Sequence, residues 1–112
     1  MPDFLFLMHD DARGPGNTRS DDWGPYIGKL QASGNFRGGS AIGAGFCARK
    51  SGAAPIITGH LSGFIRVSAD SLDDVRTLLT GNPVFEASGT VEIRELPQTA
   101  QAENVNNRQS NG

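Results

Sequence analysis

HLSGFIRVSADSLDDVRTLLTGNPVFEASGTVEIREL, residues 60–96, decides the fold because its hydrophobic period changes twice. Over 61–69 the odd positions Leu61, Gly63, Ile65, Val67 and Ala69 are apolar or small. The even positions Ser62, Phe64, Arg66 and Ser68 are polar but for one aromatic. Strand side chains alternate between faces, so one face suits helix packing and the other is polar. Ser71-Leu72-Asp73-Asp74 then forms a helix start, with the serine capping forward and Asp74 favoured by the helix dipole. Leu72, Val75, Leu78 and Leu79 are expected on one helical face, with Gly81 and Pro83 ending the helix. Residues 89–96 alternate again, placing Val91 and Ile93 on one side and Thr90, Glu92 and Arg94 on the other.

Working towards the N-terminus, residues 38–48 (GGSAIGAGFCA) and the run from Ile56 to Ala69 read as two strands of an antiparallel hairpin, with ARKSGAAP as the turn. Upstream, a helix is expected from Asp22, which caps its first turn, to Gly34, with Pro25 in the first turn. Trp23, Tyr26, Ile27 and Leu30 mark its buried stripe. A long loop over 10–22 separates it from residues 3–9 (DFLFLMH), apolar on both faces and so a central strand. The order is β-α-β-β-α-β, the ferredoxin-like α+β arrangement: four antiparallel strands with the helices on one face. The domain is expected to span 1–97, and the polar residues 98–112 to form a disordered tail.

Composition narrows the function classes. Ten basic against twelve acidic residues leave a formal charge of -2, so nothing draws the chain to nucleic acid or to anionic membranes. One cysteine, Cys47, excludes an intrachain disulfide framework, and its surroundings suit a small hydrophobe better than a nucleophile. The apolar run 4–8 is too short for a signal peptide or a membrane span, which makes a cytoplasmic protein the expectation.

The polar face holds the candidate chemistry. His60 shares it with Ser62 and Arg66, where an imidazole could act as general base and an arginine could hold an anion. The plainer reading is a partly exposed histidine near the strand's start. His9 ends the first strand, and Asp11, two residues on, can turn back towards it. Arg66, Glu92 and Arg94 suit an ion-pair ladder, either between strands or between subunits; around a cleft the arginines become anion anchors. Two histidines alone nominate no metal site, and no cofactor fingerprint is present: Gly38-Gly39 and Gly43-Ala44-Gly45 fit a bulged or closely approached strand better than a phosphate loop.

FLFLMH (4–9), Trp23 and Tyr26 on helix one, GFIRVSADSLDDVRTLLTGNPVF (63–85) and GTVEIREL (89–96) together resemble the YCII-related (YciI-like, DGPF-domain) family. The resemblance spans residues 3 to 97 and implies a dimeric α+β barrel, in which two such sheets pack face to face and enclose clefts. The family's His-Asp pair has no counterpart here, because helix one carries no histidine. Its Asp-Gly-Pro-Phe signature is replaced by ITGHLSG at 57–63. The combined expectation is a homodimer built through the open sheet face, with a small polar or aromatic metabolite bound in a cleft there. Arg66, Ser62, Phe64 and Arg94 would contact the ligand. The alternative is a cofactor-independent lyase or isomerase with His60 or His9 as base.

Overall fold

The computed structural model describes residues 2–12 and 20–97. Residues 13–19 of the expected long loop, and the expected tail 98–112, lie outside the described residues. The elements are β1 (Asp3–His9), α1 (Ser20–Ala32), β2 (Phe36–Ala41), β3 (Leu61–Ser68), α2 (Leu72–Arg76), a 3₁₀ turn (Thr77–Leu79), α3 (Pro83–Glu86) and β4 (Val91–Leu96). The strands form one sheet in the order β2-β3-β1-β4, with every neighbouring pair antiparallel. This is the ferredoxin-like α+β fold, with β1 central as its two-sided apolar pattern requires.

The register sorts side chains onto two faces. Phe4, Phe6 and Met8 stand opposite Val67, Ile65 and Gly63 on one flank, and Ile93 and Val91 stand opposite Phe6 and Met8 on the other. Tyr26 and Leu30 of α1, with Val75, Leu79 and Val84, close over this face to form the core. Phe6, Val67 and Val75 are fully buried, and each such side chain contributes about 1.5–3 kcal/mol through its lost apolar surface. The other face carries Leu5, Leu7 and Phe64 in a half-buried strip, bordered by Arg66, Glu92 and Arg94. No helix covers it.

Asp3 ties this face together. Its Oδ2 accepts from Arg66 Nε and Nη2 at 2.8 and 2.6 Å, and its Oδ1 accepts from the buried Ser68 hydroxyl at 2.6 Å. These bonds, that of Ser68 foremost and those of Arg66 next, hold the carboxyl below its ordinary value against the opposing pull of desolvation. The expected ladder is therefore differently wired: Arg66 pairs with Asp3 across strands, while Arg94 pairs with Glu92 of its own strand at 3.2 Å.

Local departures from the expected elements have physical causes. Helix α1 begins at Ser20, so Pro25 lies inside the helix and not in its first turn. Pro25 is exposed, on a side where the carbonyl deprived of its donor can be hydrated. The C-terminus follows expectation: Gly34 adopts φ +81°, and the bonds Gly34 N to Gln31 O and Asn35 N to Leu30 O make a Schellman ending. Ser71 caps α2 by accepting from Asp74 N at 3.1 Å, although Leu72 is exposed and outside the buried face. Pro83 starts a new turn of helix instead of only ending the previous one. Buried Asn82 caps that turn, accepting from Val84 N and Phe85 N.

The expected hairpin is the largest correction. β2 and β3 pair, but β2 begins at Phe36 and stops at Ala41, and β3 begins only at Leu61. Residues 42–60 contain neither strand nor helix. Their glycines, alanines and proline offer too little side-chain area for a sheet face, so extending the pairing would gain little packing. The double glycine does mark a close approach: the register shifts between Phe36 and Gly39, and a Cβ on Gly39 would lie 2.7 Å from the Phe64 carbonyl oxygen.

Candidate functional site

Two places concentrate chemistry. The first is the end of the open face, where β1 runs out. A register irregularity between Met8 and His9 places His9 opposite Leu61. His9 Nε2 lies 3.0 Å from Glu92 Oε1 on β4, and the His60 ring stands edge-on to the His9 ring with centroids 4.7 Å apart. His60 is brought there by the bond from Asp10 N to its carbonyl, at 2.6 Å. Glu92 is held below the ordinary carboxyl range by its bond with His9 first and that from Arg94 second. The anticipated convergence of Asp11 takes another form. Its carboxylate accepts from Thr90 N and from the Thr90 hydroxyl at 2.8 and 2.7 Å, and the hydroxyl bond is the leading cause of its lowered pKa. Positive charge on His9 would favour its ionised form further. Asp11 thus braces the start of β4, and Glu92 is the carboxylate that meets His9.

This arrangement orients an imidazole. When His9 is neutral and Nε2 donates to Glu92, its Nδ1 keeps a lone pair able to accept a proton. Among the described residues, no three His, Cys, Asp or Glu side chains gather as metal ligands, and no helix is long and apolar enough to cross a membrane.

The second place is a cavity of about 490 Å³ on the helix-covered side of the sheet. Trp23 and Ile27 of α1, with Val84 of α3, form its roof; Met8, Phe36 and Ile65 form its walls. Its floor runs over Gly39, Ser40, Ala41, Ser62, Gly63 and Phe64. The cavity follows from the sequence at two levels. Ala41 stands opposite Gly63 where β2 meets β3, so no bulky side chain rises from the sheet there. Trp23 is held back by edge-to-face contact with the buried Tyr26, 6.1 Å away between centroids. The Tyr26 hydroxyl donates to the Leu78 carbonyl at 2.7 Å, and burial raises its pKa.

The six expected residues are thus divided. Ser62 and Phe64 border the cavity floor from β3, although the strand's alternation turns their side chains to the uncovered face, whereas His9, His60, Arg66 and Arg94 do not border it. His9 and His60 meet each other at one end of the open face, and Arg66 is committed to Asp3. The expected cleft lies between the sheets of two subunits, and within the single chain a cavity opens beneath α1. Trp23, Ile27, Met8 and Phe36 were absent from the expected site because apolar residues at helical and strand spacing read as core. Trp23 does pack against the core, and it also walls the hollow. The missing bulk at Ala41 and Gly63 is the sequence feature that distinguishes the two roles.

No family model matches the chain, and no curated protein matches it in sequence. Among solved structures the chain is similar to 5-chloro-2-hydroxyhydroquinone dehydrochlorinase from Burkholderia phenoliruptrix AC1100, determined in complex with 2,5-dihydroxybenzoquinone. The TM-score is 0.55 at 18% identity, over 88% of this chain and 97% of that one. At that identity the likeness shows the fold. The α+β architecture inferred from residues 60–96 therefore stands on the strand order and on an independent structural match.

Proposed function

We propose that the protein binds a small, flat, mainly apolar or aromatic metabolite in the cavity beneath α1, as one subunit of a YCII-related dimeric α+β barrel. The observation that carries the reading is the cavity itself. About 490 Å³ is the size of a small-ligand pocket, and walls of Trp23, Phe36, Ile27 and Met8 suit a flat ring. The ring-shaped ligand of the dehydrochlorinase supports the same class of compound. The half-buried strip of Leu5, Leu7 and Phe64 on the uncovered face supports pairing with a second copy.

The test uses the chain's one tryptophan, Trp23, which faces the cavity. Titration with 2,5-dihydroxybenzoquinone should quench its fluorescence saturably. Ala41→Phe, at an exposed position on the cavity floor, should weaken binding at least tenfold while leaving the circular dichroism unchanged. Quenching that never saturates, or equal affinity in the filled variant, removes the proposal.

A second reading rests on the His9–Glu92 contact. In it the ligand lies on the open face between subunits, Arg66 and Arg94 attract an anionic group, and Phe64 and Ser62 contact the ring. His9 Nδ1, with His60 beside it, withdraws a proton from carbon in a cofactor-independent lyase or isomerase step. It predicts deuterium exchange into an acidic C–H of the bound compound that His9→Gln abolishes. Exchange at an unchanged rate in that variant refutes it.

A further inference from the structure

Residues 42–60 make an arm that the rest of the described residues do not cover. Phe46 is 85% exposed and Ile56 94%, and Ile42 and Ile57 are exposed as well. The two limbs of the arm touch each other: Ile57 Cδ1 lies 3.3 Å from where a Cβ on Gly45 would stand. Backbone bonds anchor the arm at its root, from Ile42 N to Ser62 O and from Asp10 N to His60 O, and Arg49 donates to the Ala53 carbonyl within it. None of its residues lines the cavity, so it is no lid over that site. The described chain extends 45 Å along its longest axis and only 22 Å along its shortest.

Exposed aromatic and aliphatic side chains on a projecting segment call for a covering surface. The arm's charge indicates which one. It carries Arg49 and Lys50, and all 12 Asp and Glu residues of the chain lie outside it, on a body whose total charge is negative even with the arm included. Arm and body are therefore complementary in sign, while two bodies without arms would repel. Both surfaces left uncovered among the described residues, the arm and the open sheet face, can be buried at once by a twofold arrangement of two copies.

We infer that the arm reaches across to a second copy of this chain, seating Phe46 and Ile56 against it with Arg49 and Lys50 facing its carboxylates. The inference rests on the dimer proposed above and adds a contact that sheet pairing alone does not need. A twofold exchange of arms means that each subunit both gives and receives one.

Sedimentation of the full chain against concentration tests both readings separately. The wild type should sediment as a dimer. Phe46→Ser with Ile56→Ser should raise the dimer dissociation constant at least tenfold without altering the circular dichroism, since both residues are exposed in the single chain. Arg49→Glu with Lys50→Glu should weaken the dimer in low salt, with the difference narrowing in high salt. A nitroxide on the single cysteine, Cys47, beside Phe46, should be immobilised in the dimer and become mobile on dilution. A wild-type monomer overturns the dimer and the arm contact together. A dimer that Leu7→Lys dissociates while the arm variants retain the wild-type dissociation constant, or one in which the Cys47 label stays mobile, overturns the arm contact alone.

Discussion

Replacing Asp3 with alanine probes the polar cluster that fastens β1 to β3. Asp3 is only 6% exposed, and it accepts three hydrogen bonds of 2.6 to 2.8 Å. The partners do not lose equally. The Arg66 side chain is half exposed and recovers water when the carboxylate is removed, so its pair is worth about 0–1 kcal/mol. Ser68 is 2% exposed, and its hydroxyl is left without its acceptor, a loss of about 1–3 kcal/mol. The expected destabilisation is therefore about 2–3 kcal/mol at neutral pH, with the Ser68 bond the larger part. The carboxyl pKa is lowered in the folded chain, so the unfolded chain takes up the proton first. The contribution of Asp3 is thus fully present above the unfolded value and is lost as pH falls through the folded one. Urea unfolding followed by circular dichroism should show a wild-type advantage at neutral pH that narrows in strong acid, below the ordinary carboxyl value of 3.8. An advantage under ~0.5 kcal/mol, or one of equal size in acid, would refute the reasoning.

Three further outcomes are expected. Gly39→Ala brings a Cβ to 2.7 Å from the Phe64 carbonyl, so β2 must shift; thermal denaturation should register about 1–3 kcal/mol, and an unchanged melting temperature would show that the strands have room. Asn82→Ala removes the acceptor for Val84 N and Phe85 N in a fully buried setting. It should cost about 1–2 kcal/mol in urea unfolding, with Asn82→Ser recovering most of it, whereas equal losses in both variants would argue against capping. His9→Ala removes the main cause of the lowered Glu92 pKa. Carboxyl carbon NMR should then show the Glu92 midpoint moving up towards its ordinary value, and an unmoved midpoint would mean that the His9 contact is not formed in solution.

What could be read from the sequence depended on range. β1, the alternating face of β3, the Ser71 cap and the Gly34 ending are written in neighbouring residues, and the structure places them as expected. The extent of the β2–β3 hairpin was not legible because Ile42, Phe46, Ile56 and Ile57 carry strand-like hydrophobicity without the flanking bulk that makes a sheet face. The two polar contacts that organise the open face were hidden for another reason. Asp3 and Ser68 are 65 residues apart, and His9 and Glu92 are 83 apart, so no local spacing joins them. Asp3, at the border of an apolar run, resembles a residue that merely ends a strand. The cavity was concealed by small residues, since an absence of volume at Ala41 and Gly63 gives no periodic pattern.

The central position of β1 has a consequence for how the chain is made. Of the described strands β1 is synthesised before the others, yet it is sandwiched between β3 and β4, and its last partner ends at Leu96. Phe4, Phe6 and Met8 must therefore wait, unsheltered, until nearly the whole domain has been synthesised before the sheet can close. Closing it joins distant segments, which makes folding slow and leaves nascent chains prone to mispairing with one another. Synthesis rate and chaperone supply should accordingly govern the yield of native protein more strongly than the modest size of the domain suggests.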